Sequence, residues 1–265
     1  MRDFSYDIYK DLLSCLQERN TAFATMEEYF DPNFKQDQPI VLLRHDVDRR
    51  PKNALEMGSI ENALGIKATY YFRTIPGVLD GEIIQELVKL NHEIGYHYEC
   101  LAETRGDFQR AIADFELNLL KLRKFYPVKS IAMHGRPLSK WDSRSLWQEF
   151  DYTKYGILSE PYFDIDFNTV LYITDAGRCW SNAAVNLRDK VTTRFEFKFF
   201  HTKDIIQQLR EGELPSIIMF NIHPEHWTAG LIKWTKVWLT RMFINFVKRR
   251  VLNCFKYLGR LRAGE

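Results

Sequence analysis

The run Arg44-His45-Asp46-Val47-Asp48 sets two carboxylates at i and i+2 where a continuous apolar stretch, Pro39-Ile40-Val41-Leu42-Leu43, stops. Alternate residues of an extended chain share a face. Asp46 and Asp48 can therefore turn into one site, one binding a hard or borderline cation while the other stays free to accept a proton. The competing reading makes them caps of a helix starting near Pro51, a position that suits aspartate. Other polar groups recur in the same setting: His97 and Glu99, His134, Asp175, and His223 followed by His226 all lie at or just after the ends of apolar runs.

The elements that must position these groups alternate along the chain. Ile8, Leu12, Leu13 and Leu16 recur at helical spacing and predict an opening helix over 6–19. Strands are expected near 39–43, 68–72, 93–97, 130–134, 170–174, 195–199 and 216–221, and helices near 52–64, 81–90, 107–125 and 202–211. Roughly seven alternations predict an α/β protein, a closed or nearly closed (β/α) barrel of about seven parallel strands whose C-terminal strand ends share one mouth. The chain divides into a helical flank (1–35), the barrel (36–230) with a loop-rich stretch at 138–170, and a basic, aromatic amphipathic helix (231–265).

A chain of 265 residues with 45% hydrophobic and 27% charged residues is globular, and large enough to bury a core without metal or disulfide staples. Any metal would therefore be chemical. Cys15, Cys100, Cys179 and Cys254 are scattered and form no C-x-x-C pair, which argues against a zinc ribbon or disulfide framework. The first residues carry no apolar core with a cleavage site, so a reducing cytoplasm is expected.

Net charge is +2, yet residues 233–265 hold nine basic residues and one acid, leaving the body acidic. No nucleic-acid partner is expected. In the tail, Trp234, Trp238, Phe243, Phe246, Phe255 and Tyr257 interleave with the basic residues. Such a helix lies peripherally on an anionic membrane, here its inner face, or packs on the barrel with its charges in solvent. Charge interrupts it too often for it to span a bilayer.

Three stretches together resemble the polysaccharide deacetylases, carbohydrate esterase family 4: Arg44-His45-Asp46-Val47-Asp48, then Gly65-Ile66-Lys67-Ala68-Thr69-Tyr70-Tyr71-Phe72, then Asn91-His92-Glu93-Ile94-Gly95-Tyr96-His97. The resemblance implies a distorted (β/α) barrel, a divalent cation with zinc the expectation, and a glycan or acetamido-sugar substrate. Asp46 falls on the family's general base and Asp48 on a metal ligand. His97 is the first histidine of its H-x-x-x-H motif, but the second falls on Leu101, so His134 or Glu99 must replace it or the site lacks a third ligand. His92 has no ligand role in the family and reads as a surface histidine. Met133-His134-Gly135-Arg136-Pro137 stands where the family carries an arginine that orients the base, which points to Arg136. Asp175, Arg178 and Trp180 fall in a motif that lines the pocket, with Trp180 either stacking on sugar or buried. His223 takes the general acid's place, with His226 on the same rim.

The resemblance implies a metal-dependent N-deacetylase of carbohydrate, acting in surface-polysaccharide or glycolipid biosynthesis. The alternatives are an allantoinase-like C–N amidase and a catalytically silent barrel that binds glycan or scaffolds an assembly. Leu101 favours the silent barrel; Asp46, Asp48, His97 and His223 together argue against it.

Overall fold

The computed structural model describes residues 2–35, 37–136, 139–180 and 190–263, and the side chains of all of these except 249 and 251–263. Seven strands, all parallel, make one sheet: β1 (Ala22–Ala24), β2 (Ile40–Val47), β3 (Thr69–Phe72), β4 (Glu93–Tyr98), β5 (Ile131–Met133), β6 (Leu171–Thr174) and β7 (Ile217–Ile222). Six run side by side in the order β5-β4-β3-β2-β7-β6; β1 pairs with the first half of β2 on the edge whose second half takes β3. The sheet curls into a half-barrel with helices around it. β5 and β6 are its ends, and beyond β5 the chain at Ser159 adds a single parallel bridge to Ser130.

The crossovers are α3 (Pro51–Ala63), α4 (Gly81–Lys89), the short α5 (Cys100–Glu103) with α6 (Phe108–Arg123), and α8 (Thr202–Glu211). The remaining α-helices among the described residues are α1 (Tyr6–Glu18), the single turns α2 (Met26–Tyr29) and α7 (Pro161–Asp164), and α9 (Leu231–Ala263). From β2 the chain steps outward through β3, β4 and β5, then returns to build β6 and β7 on the other side of β2. Strand order therefore reverses between β2 and β7, and their carboxyl ends open a crevice there.

Period-two alternation splits the core in two. Val41, Leu43 and Val47 join Tyr70, Phe72, Tyr96 and the helical side chains outside the sheet, while Leu42, Tyr71, Ala132 and Met219 fill its concave inside. Gly95 is required on that concave side: a Cβ there would lie 2.3 Å from the Tyr71 ring. The strand expected at 195–199 is absent. Phe195, Phe197 and Phe199 line up along the outer core, 6.3 and 6.0 Å between successive ring centroids, without strand pairing.

Candidate active site

The concave face delivers Arg44 and Asp46 from β2 and His97 from β4, all fully buried, with Asp48 just past the strand end. The cap reading of the two aspartates fails: α3 starts from Arg50 in a left-handed conformation (φ 53°) with no side-chain cap bond. The sharp turn frees Asp48 to face inward. Its Oδ1 lies 3.4 Å from His97 Nε2 and 3.2 Å from His134 Nε2, and donor atoms of these three residues all lie within 4.8 Å of one another.

Each imidazole is fixed from behind. His97 Nδ1 lies 2.9 Å from the Ala132 carbonyl, which can only accept, and His134 Nδ1 lies 3.0 Å from Glu99 Oε2. Both Nδ1 atoms thus carry hydrogen and both Nε2 lone pairs turn to Asp48. Arg73 holds Glu99 in turn. Asp48 Oδ1 is buried with no hydrogen-bond partner among the described residues, a costly state for a carboxylate that a cation would relieve. One carboxylate and two imidazoles are the donor set of an open zinc-type site.

Glu99 is therefore not beside Asp48 as a ligand; it sits behind His134. Arg136 likewise does not reach Asp46: it pairs with Glu103 and lies 3.7 Å from Glu99. The arginine on Asp46 is Arg44, whose Nε and Nη2 donate to the two carboxylate oxygens at 2.7 and 2.8 Å. Its guanidinium lies between the rings of Tyr71 and Tyr162, 5.4 and 5.2 Å from their centroids. Burial opposes the Asp46 charge, yet Arg44, His97 and His223 more than offset it, and the carboxyl stays below its usual value. The signal for Arg44 was in the sequence: it is two residues before Asp46, on the same strand face.

Across the crevice, Asp175 follows β6 and His223 follows β7. Asp175 Oδ1 accepts from the His223 backbone at 2.9 Å and lies 2.7 Å from His223 Nδ1, and Oδ2 accepts from Trp227 Nε1 at 2.8 Å. Burial would lower the His223 pKa, but the hydrogen bond to Asp175 and the charges of Asp175, Asp48 and Asp46 raise it well above the ordinary value. The raised value favours the imidazolium form of His223. His226 is buried, and desolvation lowers it to about 3.

The remaining expectations fare differently. Trp180 is core, stacked on Phe4 at 5.6 Å and donating to Thr202. Arg178 lies over Phe4 and Trp234 at 5.1 and 4.9 Å and so joins the same aromatic layer. Neither lines an open wall. Leu101 is buried in the outer core, far from a ligand's role. His92 is buried rather than on the surface: Nδ1 accepts from the Ala68 amide at 3.2 Å, so Nε2 donates to the Gly58 carbonyl at 3.0 Å. Pro137 lies outside the described residues.

No protein-family model and no curated protein matches the chain. Solved structures do, and those compared are consistently family 4 carbohydrate esterases or deacetylases, pseudoenzymes among them. A Streptococcus mutans family 4 esterase is 13% identical with a TM-score of 0.45, over 81% of this chain and 84% of that one. A family 4 pseudoenzyme of Bacillus anthracis is 12% identical with a TM-score of 0.43, over 81% and 63%. A Streptococcus pyogenes deacetylase in complex with acetate is 14% identical with a TM-score of 0.39, over 48% of this chain and 61% of that one.

Proposed function

We propose that the chain is a metal-dependent hydrolase that removes the N-acetyl group from an acetamido sugar. The observation that carries this reading is the placing of one arginine-held carboxylate, Asp46, between an Asp48–His97–His134 donor set and an Asp175–His223 pair, with Asp46 Oδ2 3.6 Å from His97 Nε2. A divalent cation, zinc by the donor chemistry, would polarise the acyl carbonyl and acidify a water there. Asp46 is ionised at any working pH and takes the water's proton through a lone pair that Arg44 leaves free. Arg44 fixes the direction of that lone pair. His223, held protonated by Asp175, gives its proton to the departing sugar nitrogen. A substrate from surface-polysaccharide or glycolipid assembly suits this chemistry.

His134 supplies the third donor that Leu101 does not, which weakens the silent-barrel reading. The test is elemental analysis and acetate release from acetamido sugars, on wild type and Asp46→Asn. Near-stoichiometric metal in both, with acetate released by wild type alone, is expected. A wild type that takes up no zinc, cobalt or nickel overturns the proposal, as does an Asp46→Asn protein that turns over like wild type.

A further inference from the structure

Helix α9 shows two contrasting faces. On one, Trp234 Nε1 donates to the Asp3 carbonyl at 2.6 Å, Arg241 to Glu225 at 2.7 Å and Asn245 to the Gly177 carbonyl at 2.9 Å, with Val237 buried between them. Spacings of three and four make these one stripe, and it anchors the helix on the body. Glu225 is two residues from His223 and Gly177 two from Asp175, so the anchor grips both loops that carry that pair.

The opposite stripe is Ile232, Leu239, Met242, Phe243 and Phe246, again at spacings of three, four and seven. All are exposed, Ile232 at 86% and Phe243 at 69%. No described residue covers them. Lys233, Lys236 and Arg250 are exposed beside them, and the Arg250 guanidinium lies 5.1 Å over the Phe246 ring. Between Glu225 and Glu265 the chain has no acidic residue. An apolar stripe with bulky aromatics, flanked by lysine and arginine, matches a bilayer interface: acyl boundary for the rings, anionic headgroups for the cations. No described helix is long and apolar enough to cross a membrane. A second copy is a poor occupant, because it would set two cationic, acid-free helices face to face.

We infer that the outward face of α9 docks the protein on an anionic lipid bilayer, with the helix lying in the headgroup plane. Binding of this kind stands apart from the catalytic reading and survives its failure. The test is co-sedimentation of the full chain with vesicles of phosphatidylcholine alone or mixed with phosphatidylglycerol, at low and high salt. Binding to the mixed vesicles that weakens with salt is expected. Phe243→Ser/Phe246→Ser should abolish it, and Lys233→Gln/Lys236→Gln should weaken it about 30-fold, one kcal/mol per charge. Each variant keeps its thermal midpoint, because the changed side chains are exposed. No binding at low salt overturns the inference, and so does a Phe243→Ser/Phe246→Ser variant that binds like wild type. A wild-type dimer dispersed by that same variant overturns it too, by making a second copy the occupant.

Discussion

Two clusters of one aspartate and two histidines face each other across the crevice, and both have donor atoms within 4.8 Å of one another. Composition does not separate them; hydrogen bonding does. Around Asp48, the imidazoles are tied from behind and the carboxylate oxygen between them has no partner. Around Asp175, both carboxylate oxygens are already taken by His223 and Trp227. The first arrangement leaves its carboxylate oxygen open to a cation; the second has its carboxylate spent on N–H donors, although both His226 nitrogens lack a hydrogen-bond partner among the described residues. A triad of metal-ligating types is thus a proton-holding device when its carboxylate is spent on N–H donors.

Breaking each cluster should give opposite signatures. Asp48→Ala and His134→Ala should lose metal by elemental analysis and all turnover with it, whereas His226→Asn should retain metal. His223→Ala should keep its metal while kcat falls by about 10²–10⁴, the worth of a general acid; metal lost with His223 would merge the two clusters. Glu99→Gln, acting only through His134, should weaken metal affinity about 10–100-fold in a chelator competition. Leu101→His should add no affinity, and burying an imidazole in the outer core should cost about 1–3 kcal/mol in denaturant unfolding.

The smallest effect is a pH dependence. His223 is raised and Asp175 lowered in the folded state. The histidine's contribution to stability is therefore complete below its unfolded value near 6.5 and lost as pH rises through its raised folded value. The aspartate's contribution is present above its unfolded value near 3.8 and lost as pH falls towards its lowered one. The stability gap between wild type and His223→Asn should be wider at pH 6 than at pH 10. An equal gap at both would mean that the pair holds no proton.

Most of the sheet was legible because β2, β3, β4 and β7 are buried on both faces: β2 and β7 open on continuous apolar runs, β3 is mostly aromatic, and β4 keeps Ile94 and Tyr96 between its polar residues. Strand β1, three residues long, carries too little pattern to be read. At 195–199 the alternation reported amphipathicity correctly, but a strand also needs a neighbouring edge, which no local pattern supplies. Asp46, Asp48, His97, His134 and His223 could be singled out because chemistry-bearing residues stop apolar runs. What escaped was contact at a distance: Glu99 and His134 compete for one role until their separation from Asp48 is known. Position in a motif points to Arg136, although strand periodicity alone puts Arg44 beside Asp46.

The side chains of the site grade steadily in depth, from Asp48 at 20% exposure and His134 at 13% to Asp46 at 1%. Below Asp46 the interior is plugged by Arg44 and Tyr71. An incoming molecule therefore meets Asp48 and His134 first and Asp46 last, and nothing passes through. On the hydrolase reading, the short acyl arm is gauged at the floor while the bulk of the glycan is sorted outside, so tolerance for longer acyl chains and choice of sugar can change independently.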